Sequence, residues 1–323
     1  MTSKPLSVLF TSAGRRVELV NCFTAAAREL GISLSTHACD LEPDLSAACH
    51  VASRSFAVPP VDAPDYIDTL LEYCAANTID LLVPTIDPEL YPLALARQKF
   101  ADVGTKVHVS GPATIEIVRD KARTIEVLQQ HGVPVPRTGL AEAARDRPED
   151  WDWPVFIKPS GGSASRGIAI VESPEQIAAS YDEPMILQQL LRGDEYTINM
   201  MIDGNGALVS AIPHRRLSVR AGEVEKGVTV RRPDIEDIAE KIARALPDPE
   251  GVMCFQLIDD ERTGPRVFEI NARFGGGYPL ADRAGARFAE RLLHHLRSGM
   301  EWEDSQWQEG VKMLRYDAAV FLD

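Results

Sequence analysis

The sequence predicts two architectures in succession: an α/β domain built on a parallel sheet, then an α+β domain whose strands are largely antiparallel. Three observations predict this. Short apolar runs alternate with segments of helical periodicity through the first third of the chain. Beyond about residue 152 extended segments follow one another, several through short turns. The chain has 323 residues, enough for two domains and a large buried core.

The first strand is "LSVLF". After "TSAGRR", Val20, Phe23, Ala27 and Leu30 recur at helical spacing. "ISLSTHACD" is a second strand; Ile67, Leu70, Leu71 and Cys74 mark a further helix; "DLLVPT" is another strand, and "TKVHVSGP" closes the region. Strands alternating with helices imply a parallel sheet covered on both faces, whose ligands sit beyond the carboxyl ends of the strands. Those ends are "TSAGRR", "CDLEPD" and "PTIDPE". One helix is then expected from about Thr114 to His131, with Ile115, Val118, Ala122, Ile125 and Leu128 on one face and Gly132 as its stop. "VPVPRT" is extended, and residues 141–152 read as a polar loop. "PVFIK", "GIAIV", "MILQQL", "EYTINMMI", "ALVSAIP" and "GVMCFQLI" read as strands. "SPEQIAASY" reads as a capped helix, with Ser173 as N-cap, Pro174 in the first position and Gln176 closing the box.

Bulk properties narrow the function. The formal net charge is −14, a field that repels a phosphate backbone and disfavours nucleic acid as a main partner. No apolar run reaches bilayer length, and "MTSKPLSVLF" is too short and polar for a secretory signal. The five cysteines, Cys22, Cys39, Cys49, Cys74 and Cys254, form neither a CxxC nor a zinc spacing; they read as reduced core thiols of a cytoplasmic protein. The first βα turn lacks GxGxxG, which disfavours a dehydrogenase.

Two motifs carry chemistry. In "VFIKPSGGSASRGIAIV" Lys158 precedes a glycine loop and a second strand follows, so the stretch is not a P-loop, where lysine closes the loop and a helix follows. In "VFEINAR" strict alternation puts Phe268, Ile270 and Ala272 on one face and Glu269, Asn271 and Arg273 on the other. If "ERTG" is a hairpin loop, Asp260 pairs with Pro265 and Gln256 falls opposite Glu269. One face then carries Gln256, Glu269, Asn271 and Arg273. Three offer oxygen ligands with a single carboxylate, which suits a hard cation such as Mg²⁺ that keeps phosphate oxygens in its shell; Arg273 would meet a transferring phosphoryl group. The alternative is a solvated polar strand face.

The lysine and glycine loop between two strands, followed by Glu-x-Asn-x-Arg, resembles the ATP-grasp superfamily, nearest its carbamoyl-phosphate-synthase-like branch, with biotin carboxylase and the pyrrolysine-biosynthesis ligase. The resemblance implies a preATP-grasp parallel-sheet domain over residues 1–113 and a two-lobed ATP-grasp domain over 114–323, the lid lobe at about 136–187 and the catalytic lobe at about 188–323. It implies ATP and Mg²⁺, or Mn²⁺, between two sheets. Lys121 and Lys158 then match the phosphate lysines, and Ser160, Gly161, Gly162 and Gly167 belong to the phosphate-covering loop. Gln188, Gln189 and Leu190 match the hinge and adenine segment, with Gln188 where the branch often carries glutamate. Glu195 matches the ribose carboxylate, Glu269, Asn271 and Gln256 the metal ligands, and Arg273 and Lys158 the catalytic cations.

The substrate side is less specific. "TSAGRR" reads equally as an anion site with Arg15 and Arg16 or as a strand–helix turn. In "HRRLSVRAGEVEKG", Arg215 or Lys226 is placed to grip a substrate carboxylate, whereas Arg216 and Arg220 read as solvated and His214 as structural. "GGG" at 275–277 either admits substrate beside Arg273 or is a plain loop, and Arg315 is a further anion anchor. The resemblance implies an ADP-forming ligase that joins a small-molecule carboxylate to an amine through an acyl phosphate, with a homodimer as the default assembly. A bicarbonate-activating carboxylase or carbamoyl-type enzyme, or a non-catalytic nucleotide-binding module, are the alternatives.

Overall fold

The computed structural model describes residues 5–161, 167–299, 304 and 306–322. The first domain runs β1 (Leu6–Thr11), α1 (Val17–Glu29), β2 (Leu34–Asp40), α2 (Ala47–Val51), β3 (Arg54–Ala57), α3 (Tyr66–Asn77), β4 (Leu81–Pro84), α4 (Leu90–Asp102) and β5 (Lys106–Val107). The strands form a parallel sheet in the order β3-β2-β1-β4-β5. β1 and β4 are buried almost throughout, as strands covered on both faces must be. The sequence reading missed α2 and β3, which are short and weakly apolar, and also α4, whose buried stripe of Leu90, Leu93, Ala94 and Phe100 it left unread; Arg54–Ala57 has no fully buried side chain.

The helix expected over residues 114–131 is two helices, α5 (Pro112–Arg119) and α6 (Lys121–Gln130). Asp120 adopts extended backbone between them, and its side chain accepts from the amides of Ala122 (2.9 Å) and Arg123 (3.2 Å). The apolar stripe continues across the break because both helices pack on one core, so periodicity alone does not show it.

A second, four-stranded sheet follows, built from β6 (Thr138–Leu140), β7 (Val155–Pro159), β8 (Ala169–Val171) and β9 (Met185–Gln189) in the order β6-β9-β7-β8. Helix α7 (Ala141–Asp146) occupies part of the stretch read as loop, held by Ala141 and Ala144 against this sheet's own small core. The capped helix expected at Ser173 is a single 3₁₀ turn, Pro174–Gln176. Ser173 makes no cap bond to it, and Gln176 Oε1 instead accepts from the amide of Glu172 at 2.9 Å.

The third sheet is six-stranded and antiparallel, in the order β14-β13-β10-β11-β12-β15. Its strands are β10 (Gly193–Ile202), β11 (Leu208–Arg220), β12 (Glu223–Thr229), β13 (Gly251–Asp260), β14 (Gly264–Asn271) and β15 (Lys312–Leu314), with α8 (Pro233–Ala245), α9 (Tyr278–Ala284) and α10 (Phe288–Ser298) around them. α8 buries Ile235, Ile238, Ala239, Ile242 and Ala243, a one-sided stripe at helical spacing. Two large cores each combine residues of the first domain with residues of this sheet and its helices. One is threaded by an aromatic chain: Phe10 on Phe23 (5.1 Å between centroids), Phe23 on Phe274 (5.9 Å), Phe274 on Tyr278 (4.7 Å) and Tyr278 on Phe288 (5.7 Å). All five cysteines are free thiols, and no helix among the described residues is long and apolar enough to cross a membrane.

His108 sits at the junction of the parallel and six-stranded sheets, where its Nε2 accepts from the amide of Val252 at 2.9 Å. Burial, helped by Lys106, pushes its pKa down to about 4; burial and the charge of Arg216 push His214 to about 3. Both histidines are neutral in the fold and take up protons on unfolding. Their contribution is therefore complete above the unfolded value near 6.5 and is lost as pH falls toward the folded values, at about 1.4 kcal/mol per pH unit each. Glu89, Glu195 and Asp282, raised chiefly by burial, act in the opposite sense. Urea melts of wild type and His108→Gln between pH 7 and 5 should isolate one histidine: the variant keeps an acceptor for Val252 and loses about one proton from the slope of stability against pH.

Candidate functional site

A cleft of about 850 Å³ lies where the three sheets meet. Its walls are the carboxyl edge of the parallel sheet (Arg15, Arg16, Thr85, Asp87), the four-stranded sheet (Phe156, Lys158, Gln188) and one face of the six-stranded sheet (Glu195, Gln256, Glu269, Asn271). The motifs separated by more than a hundred residues in the chain thus face one space.

The β13–β14 ladder builds the third wall. Gln256 pairs with Glu269 and Cys254 with Asn271, as the alternation requires. The register near the turn differs from expectation: Asp260 pairs with Gly264, and Asp259 with Pro265. Asp260 accepts from the amide of Thr263 (3.0 Å) and from its hydroxyl (2.7 Å), and Gly264 takes a φ of +75°, so the loop has three residues. The missing residue returns as a β-bulge: Leu257 pairs with Val267 and Gln256 with Glu269, leaving Phe268 extra. The bulge also breaks the predicted alternation. Phe268 turns into the cleft beside Glu269 instead of joining Ile270 in the core.

Phe268 meets Lys158 there. The Lys158 ammonium lies 5.4 Å from the Phe268 ring centre and 5.8 Å from that of Phe156. Burial pulls its pKa down to about 8 against the opposing charge of Glu269, with Lys121 pulling further down. Lys121 reaches the same cleft because the helix breaks before it. Asp120, the cap of α6, accepts from Ser160 Oγ at 2.6 Å, the Lys121 amide donates to Ser160 O at 2.9 Å, and Lys121 Nζ donates to Gly161 O at 3.3 Å. Gly161 has open space around its missing Cβ; Gly167 has a φ of +65°. Gly162 lies outside the described residues. Gln188, buried on β9, donates its amide to Thr138 Oγ1 at 3.0 Å and lines the cleft with Gln189 and Leu190.

The ion pairs show what the sequence missed. Glu195 lines the cleft and is bound by Arg216, whose Nη2 also donates to Gly222 O at 2.8 Å. Arg216, read as solvated, is a cleft residue. Arg215 and Lys226 are not. Alternation on β11 sends Arg215 to the opposite face, where it pairs with exposed Asp194 at 2.9 Å. On β12 the register skips one residue between Val224, which lines the cleft, and Lys226, so Lys226 faces out and is exposed. Arg315 stands behind the wall, on Glu223 at 3.2 Å and on Gly276 O. Arg16 pairs with the same Glu223 at 3.2 Å. Burial alone would raise the Glu223 pKa; Arg16 and Arg315 more than offset it, and the net shift is downward. Arg273 pairs with Asp87 at 2.6 Å. The signal for Asp87 was present, since "PTIDPE" is a strand end at the ligand edge of the sheet. The three glycines line the cleft beside Arg273 and also pack closely: a Cβ would reach 2.8 Å from Cys254 Sγ at Gly275, 1.9 Å from Glu223 Oε2 at Gly276 and 2.6 Å from His214 Nε2 at Gly277.

A family model described as "PylC-like, N-terminal domain" matches residues 8–108, and one described as "ATP-grasp domain" matches residues 118–277. The chain belongs to the ATP-grasp superfamily. It is 22% identical over 303 residues to the carbamoyl phosphate synthase large chain of Methanothrix thermoacetophila, covering 84% of this chain and 27% of that protein. It is 22% identical over 283 residues to the phosphoribosylamine–glycine ligase of Xylella fastidiosa strain 9a5c, covering 77% of this chain and 64% of that one. The ATP-grasp chain thus spans about a quarter of the first relative and just under two thirds of the second. Its fold matches the biotin carboxylase domain dimer of Hydrogenobacter thermophilus 2-oxoglutarate carboxylase in complex with MgADP, ADP and bicarbonate, with a TM-score of 0.73 and 16% identity over 94% of this chain and 72% of that one.

Among the described residues of the ATP-grasp chain no group of three His, Cys, Asp or Glu gathers in a metal-binding cluster. A cation on the β13–β14 face would therefore bind through one carboxylate and two amide oxygens, with other oxygens completing its shell. That donor set suits a hard ion and not zinc or copper. The Lys158 amine gives a direct check on the cleft. Trace acetylation with acetic anhydride, read by mass spectrometry, should label Lys158 with a pH midpoint near 8, whereas surface lysines follow a midpoint near 10.5; occupancy of the cleft by ATP should suppress it.

Proposed function

We propose that the chain is an ADP-forming ligase that activates a small-molecule carboxylic acid with ATP and passes the acyl group to an amine. The supporting observation is convergence: two lysines from separate elements, three oxygen ligands on one ladder and a buried arginine face a single cleft. Gln188 to Leu190 and Glu195 line the part assigned to adenine and ribose, Arg216 holding the Glu195 carboxylate in place. Lys121 and Lys158 bind the phosphates. Glu269, Asn271 and Gln256 hold Mg²⁺, or Mn²⁺, which when bound supplies charge neutralisation on the phosphate oxygens. Arg273 stabilises the negative charge on the phosphoryl group as the acid's carboxylate oxygen attacks it and ADP leaves. The amine nitrogen then attacks the acyl carbon of the acyl phosphate: the C–N bond forms, the C–O bond to phosphate breaks, inorganic phosphate leaves and the nitrogen gives up a proton. Arg15 lines the cleft and its side chain has no ion pair or hydrogen bond among the described residues, so it is the arginine assigned to the acid. Arg315 acts through Glu223, and Arg215 and Lys226 take no part.

The test is a phosphate-release screen of acids against amines with ATP and Mg²⁺, with an arm using labelled bicarbonate. Glu269→Ala should keep the thermal melt of wild type and lose ADP formation by about 10²-fold or more. Arg215→Ala and Lys226→Ala should leave the KM of the acid within about twofold, whereas Arg15→Ala should raise it by about tenfold, the loss of one charge-assisted contact. Wild-type turnover in Glu269→Ala overturns the metal assignment. Incorporation of bicarbonate in place of every organic acid overturns the substrate class.

A further inference from the structure

We infer that Asp87 is a positioning residue for phosphoryl transfer: it reaches from the parallel-sheet domain across the cleft and fixes the guanidinium of Arg273. The inference rests on the reading just given and concerns a residue that belongs to neither motif of the second domain. Asp87 opens the 3₁₀ turn Asp87–Glu89 that follows β4. That turn is itself held rigidly. Glu89, fully buried, accepts from the amides of Thr85 (2.8 Å) and Ile86 (3.1 Å), from Tyr66 Oη (2.6 Å) and from Ser12 Oγ (3.0 Å). A carboxylate with four donors locks the backbone on which Asp87 stands.

The side chains of Asp87 and Arg273 are 20% and 13% exposed, so this is not a solvated surface pair. Arg273 Nη2 donates to Asp87 Oδ2 at 2.6 Å and to Asn271 Oδ1 at 3.3 Å, while Nη1 donates to Phe274 O at 3.2 Å. Two of these acceptors lie on the same strand end as Arg273 and leave the long side chain free to swing. The third comes from the other domain and fixes the plane. The Nε–H is buried and has no acceptor among the described residues. Asn271 is also assigned to the metal, so the pair sets the relation between metal ligand and arginine. A planar donor fork works only when its orientation is held.

The probes are Mg·AMPPNP, which carries a third phosphoryl group, and Mg·ADP, which does not, titrated calorimetrically into the full chain. Asp87→Asn should lose about tenfold or more in AMPPNP affinity while ADP affinity stays within about twofold, as expected for one charged hydrogen bond acting at the terminal group alone. Asp87→Glu keeps the carboxylate and should recover part of the loss; thermal melts of both variants report the fold. Equal losses for both nucleotides would make Asp87 a general scaffold residue and overturn the inference. So would no change. A gain in AMPPNP affinity would show instead that Asp87 competes with phosphate for the guanidinium. Failure of wild type to bind either nucleotide removes the functional reading and this inference with it, whereas normal wild-type binding with an unchanged Asp87→Asn removes the inference alone.

Discussion

Gln256 stands opposite Glu269 on the β13–β14 ladder, and the arrangement of that wall of the cleft follows from the pairing. Because strand side chains alternate, one matched pair commits Asn271 and Arg273 to the same direction as Glu269. The bulge at Phe268 makes the match possible. The three-residue turn offsets the strands by one position, and the extra residue, Phe268, restores the register immediately before the Gln256–Glu269 pair. The same bulge delivers an aromatic ring to the cleft, against which the Lys158 ammonium is desolvated. One local irregularity therefore sets which side chains share the cleft face and places a ring against the Lys158 ammonium.

The second constraint is electrostatic. Taking a charged side chain out of water costs several kcal/mol, and removing one member of a buried pair costs about 3–5 kcal/mol. The cleft meets this by pairing: Arg216 with Glu195, Arg273 with Asp87, and Arg16 and Arg315 with Glu223. Two of these sets join the parallel sheet to the six-stranded sheet. Lys158 is the group left to a weaker arrangement, two ring faces and the more distant charge of Glu269, and its pKa falls accordingly. Pairing holds the arginines as fixed fixtures of the wall. Under the proposed function Lys121, Lys158 and Arg15 direct their charge to ligands, and Arg273 does so while held by Asp87.

Most of the fold was legible because burial leaves a periodic trace. β1, β4 and the stripe of α1 could be read from apolar spacing, and the Gln256–Glu269 pairing came out right because the bulge at Phe268 cancels the one-residue error in the assumed turn. Three of the errors share a cause: each lies where one residue breaks a period without changing the apolar pattern. Asp120 interrupts a helix whose stripe runs on. Phe268 is inserted into a strand that still alternates on paper. The skip on β12 turns Lys226 outward although its spacing from Val224 predicts the same face. Arg215 and Arg216 are adjacent, and choosing between them needs the absolute phase of β11, which only its pairing with β10 supplies: Thr197 stands opposite His214, which puts Arg216 on the cleft side with Glu195. Asp87 was legible as a loop at the ligand edge of the sheet, but its partner lies 186 residues away in sequence.

The distribution of core between the sheets has a functional consequence. Two large cores join the parallel and six-stranded sheets, and the aromatic chain from Phe10 to Phe288 runs through one of them, so these walls form one rigid body. Among the described residues the four-stranded sheet is supported by seven buried apolar side chains of its own, Ala141 to Leu187, the smallest of the three cores and so the one that burial holds most lightly. The β13–β14 ladder, Arg216 and Arg273 thus belong to the part with the larger cores; under the proposed function, that is where geometry must be held closely for charge to be stabilised as it develops. Lys158 and Gln188 ride on the lightly held sheet. Under the proposed function the groups assigned to the nucleotide therefore sit on the lightly held sheet, and those assigned to the transferring group on the larger cores. The contact between Asp120 and Ser160 marks where the two regimes meet: α6 packs with the rigid body, Ser160 follows directly on β7, and Lys121 is anchored on the α6 side of that joint.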